Sequence, residues 1–124
     1  MSYVDGYVLP VPTKNLKAYA RMAKMGAEMW MKHGALDFKE CVGDDLETGM
    51  GKPFSRLMRL KPGETVVFSW IVFKSKAHRD RVNAKVMKEM EEKMGHMDMK
   101  DMPFDVKRMA YGGFKAIVEV RKPK

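Results

Sequence analysis

One stretch constrains the fold more than any other. Residues 65–73, Thr-Val-Val-Phe-Ser-Trp-Ile-Val-Phe, alternate as a β-strand does, yet neither face is polar. Val66, Phe68, Trp70 and Val72 share one side, and Val67, Ser69, Ile71 and Phe73 share the other. A strand apolar on both faces has to be covered on both. It belongs at the centre of a sheet with a layer over each side.

The flanking sequence supplies the rest. Tyr3–Val11 predicts a first strand, with Tyr3, Asp5, Tyr7, Leu9 and Val11 on one face and Val4, Gly6 and Val8 on the other. Pro10 and Pro12 are expected to end it, because proline cannot continue a central ladder. Thr13 is read as the N-cap of a helix. Leu16, Tyr19, Ala20, Ala23, Ala27, Trp30 and Met31 recur there at helical spacing, and Gly34 closes it. A second strand is expected over residues 36–43, followed by a long connection over 44–64 punctuated by glycine and proline. Residues 54–60 within it read either as a helical turn or as an edge segment. Ser75 caps a second helix, from Lys76 to about Met94, with Val82, Val86, Met87, Met90 and Met94 as its apolar stripe. A last strand is expected from Phe114 to Val120, after a turn or bulge at Gly112-Gly113.

The order β-α-β-β-α-β is the α+β, ferredoxin-like pattern: a four-stranded antiparallel sheet, both helices on one face, the first and third strands central. The helices cover only one face of such a sheet. The other would expose aromatic and aliphatic side chains, and a second copy of the chain is the economical cover. The expectation is a homodimer in which two sheets pack face to face as a dimeric α/β barrel. A chain of 124 residues has room for one such domain, spanning 1–124.

Composition removes several function classes. The chain is 45% hydrophobic, ordinary for a folded domain and too high for a disordered one. No apolar run approaches the roughly 20 residues of a membrane-spanning helix. The first residues lack the basic start and apolar core of a signal peptide. The single cysteine, Cys41, has no internal disulfide partner, so a cytoplasmic location is expected. The net charge of +8 raises the question of nucleic acid, but the charge is dispersed: residues 1–62 contribute +3 and residues 63–124 contribute +5. Acids interleave with lysines, as in Lys88-Glu89-Met90-Glu91-Glu92-Lys93, and no RNP-like or zinc-finger spacing occurs. RNA binding by a basic face is therefore the third of three readings.

The candidate chemistry rests on carboxylates. Asp5 lies between Tyr3 and Tyr7 on a strand face, and Glu40 lies between Phe38 and Val42. An inward carboxylate loses solvation, its pKa rises, and it becomes suited to proton transfer. The competing reading gives each a salt bridge, a tyrosine hydroxyl or an open strand end. Arg79 and Asp80 open the second helix, where Arg79 can pair with a carboxylate. Asp105, Lys107, Arg108 and Tyr111 form a dense polar group before the last strand. The three histidines form no ligand pair, and no glycine-rich phosphate loop is present, so neither metal nor nucleotide cofactor is expected. The Met-rich segment 94–102, with His96, is the nearest approach to a copper motif; methionine as core filler accounts for it more simply. Cys41 reads as a buried, inert thiol.

Several segments carry a family resemblance. Tyr3-Val4-Asp5-Gly6, Glu40-Cys41-Val42-Gly43-Asp44-Asp45, Val66-Val67-Phe68-Ser69-Trp70, Ser75-Lys76-Ala77 with Arg79-Asp80, and Met102-Pro103-Phe104-Asp105 with Lys107-Arg108-Met109 and Tyr111-Gly112-Gly113-Phe114 resemble the YbaA-like family. This is a bacterial family of unknown function in the dimeric α/β-barrel superfamily. The resemblance implies the same fold and a homodimer, and it transfers no catalytic residues. Relatives in the superfamily range from cofactor-free monooxygenases to non-enzymatic stress proteins, so fold alone does not choose a reaction.

The leading expectation is a cavity on the concave sheet face, between two subunits, that holds a small organic ligand. Asp5 and Glu40 would carry any cofactor-independent acid–base or oxygenase-like chemistry. Tyr3, Tyr7, Phe38, Trp70, Arg79, Lys107, Arg108 and Tyr111 would line it. The rival is a non-catalytic interaction protein whose interface is filled by side chains.

Overall fold

A computed structural model describes residues 1–95 and 99–123. The strands are β1 (Tyr3–Pro12), β2 (Asp37–Val42), β3 (Glu64–Phe73) and β4 (Ala110–Lys115). The helices are α1 (Leu16–Lys32), the single turn α2 (Phe54–Leu57) and α3 (Lys76–Met94). The sheet runs β2-β3-β1-β4 with every pairing antiparallel, which makes this a ferredoxin-like α+β fold.

β1 and β3 lie at the centre, as the two-faced apolarity of β3 requires. Register puts Tyr3 opposite Phe73, Asp5 opposite Ile71, Tyr7 opposite Ser69 and Leu9 opposite Val67, so these side chains share one face. The helices cover that face. Leu9, Val11, Val67, Ile71 and Phe73 are buried there with Tyr19, Ala23 and Met29 of α1 and Val82 and Val86 of α3.

The opposite face stays open. Val4, Val8, Phe68, Trp70, Val72 and Phe114 share it by register, with Phe68 43% and Phe114 63% exposed. Phe68 packs edge-on against both Trp70 and Phe54, building an aromatic patch at the surface.

Four local expectations are corrected. β1 does not stop at its prolines; it runs through both to Pro12. The Thr13 amide donates to the Gly63 carbonyl, so odd-numbered residues of β1 hydrogen-bond toward β3. Pro10 and Pro12 therefore turn their nitrogens toward β4, which reaches no further than the Ala110–Val8 pair. Thr13 opens a 3₁₀ turn over Thr13–Asn15 instead of capping the helix, and α1 starts at Leu16. On α1, Ala20 and Met31 face outward; the inner stripe is Tyr19, Met22, Ala23, Gly26, Met29 and Trp30. β4 lies earlier than expected, and its glycines are within the strand. It ends at Lys115 because that residue already pairs with Tyr3, the first residue of β1. Beyond it, the Ala116 amide reaches the Ser2 carbonyl and the Glu119 carboxylate accepts from the Ser2 amide and hydroxyl, while Ile117, Val118 and Val120 are exposed.

The other boundaries match the sequence reading. The Ser75 hydroxyl accepts from the His78 amide at 3.1 Å and caps α3. Gly95 ends that helix with φ 66°, a left-handed conformation that only glycine adopts at no steric cost. Residues 54–57 resolve the open choice in the long connection in favour of a helical turn.

Candidate ligand-binding site

Between the helices and the sheet lies a cavity of about 500 Å³. Its sheet wall comes from Tyr7 and Leu9 of β1, Phe38 and Glu40 of β2, Ser69 and Ile71 of β3, and Tyr111 of β4. Register explains their convergence: Phe38 stands opposite Ile71, Glu40 opposite Ser69, and Tyr111 opposite Tyr7. The helical wall comes from α1, with Met87 and Met90 of α3 beside it. Phe104 and Met109 close one side. Ala23 and Gly26 occupy the inner face of α1 at this point, and their short side chains leave the space unfilled.

This corrects the expected position of the cavity. The face bearing Tyr7, Phe38 and Glu40 is the helix-covered one, not the open one that would meet a second sheet. Alternation assigned these residues to a common face; burial shows which layer covers it. Trp70 lies on the opposite face, half-buried, with the Lys39 ammonium 5.9 Å from its ring centroid.

Glu40 is the acidic group of the cavity wall. The Tyr19 hydroxyl donates to its Oε1 at 2.7 Å. Desolvation holds its pKa above the ordinary glutamate value, against the opposing pull of the Tyr19 and Ser69 hydroxyls. Burial likewise pushes the phenols of Tyr7 and Tyr19 up, so both remain neutral donors. Among the described residues lining the cavity there is no lysine, arginine or histidine.

A second cluster adjoins the cavity through Tyr111. Asp5 is fully buried, and Arg79 Nη1 donates to its Oδ1 at 3.1 Å. Tyr111 and Asn83 approach its other oxygen at 3.3 and 3.4 Å. The Arg79 guanidinium also donates to the Tyr111 hydroxyl at 3.0 Å and lies over the Tyr3 ring, 5.0 Å from its centroid. Asn83 in turn accepts from the Trp30 indole at 2.9 Å, and Tyr111 stacks on Tyr7 with centroids 4.7 Å apart. Desolvation keeps the Asp5 pKa raised, although Asn83, Arg79 and Tyr111 all pull it down.

The sequence-selected residues therefore fall into three groups. Tyr7, Phe38, Glu40 and Tyr111 line the cavity, and Asp5, Tyr3 and Arg79 form the ion-pair cluster beside it. Trp70, Lys107 and Arg108 lie apart. Arg108 donates to both Glu64 oxygens, at 2.7 and 3.0 Å, and to the Met58 and Arg59 carbonyls, tying the long connection to β3. Lys107 is exposed. Both carboxylates also have the partners named by the competing reading, a salt bridge for Asp5 and a tyrosine hydroxyl for Glu40.

Sequence reasoning passed over Tyr19, Trp30, Ser69 and Asn83. Tyr19 and Trp30 were visible only as members of an apolar helical stripe, and a hydroxyl or indole there is indistinguishable from core until its partner is known. Among the described residues, no group of three or more His, Cys, Asp or Glu side chains comes together to hold a metal. Residues 96–98 of the Met-rich segment considered for copper lie outside the described residues. Cys41 is a free thiol and exposed rather than buried as expected, because it lies on the edge strand β2 opposite Phe68, on the open face of the sheet. No helix of the described chain is long and apolar enough to cross a membrane.

The comparisons agree with this architecture. In solved structures, the chain is similar to a dimeric ferredoxin-like protein from an uncultured marine organism, with TM-score 0.52 and 11% identity over 97% of this chain and 100% of that one. It is 41% identical over 120 residues to the uncharacterized protein YbaA of Escherichia coli strain K12, covering 96% of this chain and 99% of that protein. The YbaA protein of Shigella flexneri matches to the same extent. Residues 2–106 match the family model described as a protein of unknown function, DUF1428, and the chain belongs to that family.

Proposed function

We propose that this protein binds a small, largely apolar organic molecule in the cavity between its helices and its sheet, with the Glu40 carboxyl as the polar anchor. The carrying observation is the cavity itself: about 500 Å³, walled by methionine, aliphatic and aromatic side chains around one carboxyl group. That combination of apolar wall and few polar groups is what small-molecule sites share. Methionine suits such a wall because its thioether adapts to differently shaped ligands. Glu40 is the group placed to exchange a proton with a ligand, its raised pKa bringing it nearer neutrality. Asp5, neutralised by Arg79, serves to hold the sheet against α3.

The working form of this reading is a cytoplasmic homodimer of one domain over residues 1–124. The open apolar face bearing Phe68, Trp70 and Phe114 supports the dimer, and the free Cys41 thiol supports a reducing compartment.

Equilibrium dialysis against a panel of alkyl and aryl compounds, comparing wild type with Ala23→Phe, tests the cavity. The substitution fills the space below α1. Wild type should retain members of the panel and the folded variant should lose them. Retention by neither protein, or equally by both, would dispose of the reading.

A further inference from the structure

The cavity has an unusual imbalance. It contains a carboxyl group, and no described lining residue offers a positive charge to meet it. Asp5, on β1 with β3 between it and β2, has Arg79 as counter-ion; among the described residues, Glu40 has only the neutral hydroxyls of Tyr19 and Ser69. Glu40 is open to solvent at the cavity wall, and a ligand seated against it would take that water away; an ionised carboxylate covered in this way is costly unless a cation compensates it. The described groups that face Glu40 do not supply one. Tyr19 from α1 and Tyr7 from β1 are phenols held neutral by burial, Ser69 from β3 is a hydroxyl, and α3 contributes the thioethers of Met87 and Met90.

The other walls point the same way. Tyr7, Trp30, Phe38, Phe104 and Tyr111 bring aromatic rings to the cavity. Aromatic faces carry a negative quadrupole and attract organic cations, most effectively where water is displaced. A carboxylate within an aromatic enclosure is the arrangement that recognises an ammonium group attached to an apolar body. An anionic ligand would meet Glu40 as a like charge, and a neutral one would leave the carboxyl uncompensated.

We infer that the ligand of this cavity is an organic cation, an amine or quaternary ammonium compound with an apolar body, whose charge pairs with Glu40 between the aromatic rings. The inference rests on the cavity-binding reading above and adds the charge of the ligand to it. Asp5 is excluded from this role because Arg79 already neutralises it.

Phenyltrimethylammonium and tert-butylbenzene are close isosteres that differ in charge, and both are small enough for the cavity. Equilibrium dialysis at pH 8 should show the cation bound at least tenfold more tightly by wild type. Glu40→Gln should bring the two affinities within about twofold by weakening the cation alone. A measurement on wild type, independent of how that variant folds, stands beside it: saturation with the cation should release protons at a pH near the Glu40 midpoint, and the neutral isostere should release none. Equal binding of the two probes by wild type, or a cation preference that survives in Glu40→Gln, would overturn the charge assignment while leaving the cavity reading in place. Failure of both probes, together with failure of the wider panel, would remove the cavity reading itself.

Discussion

The hydroxyl of Tyr19, on the inner face of α1, donates to Glu40 on β2 at 2.7 Å and ties the helix layer to an edge strand across the cavity wall. Tyr19→Phe removes the bond and keeps the ring that packs edge-on against Phe104. The loss should cost about 0.5–1.5 kcal/mol, the net worth of one hydrogen bond to a carboxyl that water can also reach. The Tyr19 bond also lowers the Glu40 pKa, so the variant should raise that pKa further. The sign follows from linkage. Glu40 titrates above its unfolded value of 4.5, so its favourable contribution is complete below pH 4.5 and disappears as pH rises through the folded pKa. Urea denaturation from pH 4 to pH 8 should show this decline in wild type, a decline extending to higher pH in Tyr19→Phe, and none from this group in Glu40→Gln.

Arg79 pairs with Asp5, the one fully buried carboxylate among the described residues. Arg79→Met leaves that carboxylate uncompensated and should destabilise the fold by about 3–5 kcal/mol at neutral pH. The Arg79 charge lowers the Asp5 pKa, so its removal drives that pKa higher still. The penalty should therefore shrink as pH falls and Asp5 accepts a proton. Adding Asp5→Asn should recover most of the loss at pH 7 and little at pH 3. A penalty independent of pH would show that lost packing against Tyr3, rather than charge, dominates.

Much of this fold is legible from alternation, because the β3 pattern demands a central strand whatever its neighbours are. The covered side is not legible in the same way. Phe68 and Trp70 are as apolar as Ile71 and Phe73, so hydrophobicity gives no preference between the two faces of β3. The choice comes from tertiary packing: α1 and α3 meet Ile71 and Phe73, and the cavity follows to that side. Asp5 and Glu40 were visible as acids interrupting apolar faces. Their partners were not, since Arg79 is 74 residues from Asp5 and Tyr19 is 21 from Glu40, and no local pattern encodes either pairing. The cavity itself depends on Ala23 and Gly26, which in a sequence are merely good or poor helix formers.

Gly113 makes room for the ion-pair cluster. A Cβ there would run into the Tyr3 ring, 2.8 Å from its Cε2 atom, and that ring is the surface on which Arg79 lies. Gly113→Ala should therefore cost about 1–3 kcal/mol as an overpacking substitution. Combining it with Tyr3→Ala should give a loss smaller than the sum of the two single losses, since the contact responsible is gone. Strict additivity in thermal or urea denaturation would mean that the strand accommodates a methyl group without disturbing Tyr3.

The open face makes a prediction about assembly that is separable from stability. Phe68 and Phe114 are 43% and 63% exposed, and Trp70 lies between apolar neighbours on the same surface. A patch of this kind is far easier to maintain against a second apolar sheet than against water. Wild type should scatter light at twice the 14.3 kDa chain mass at micromolar concentration. Phe68→Glu introduces a charge where the folded subunit already tolerates exposure, so the subunit should keep its secondary structure by circular dichroism while the mass falls to that of one chain. In the dimer a glutamate at this position would have to be desolvated against its own copy, and both the burial and the like charge oppose association. A wild-type monomer would remove the dimeric barrel. A Phe68→Glu variant that stayed dimeric would place the interface elsewhere, with the exposed Ile117, Val118 and Val120 beyond β4 the next surface to substitute.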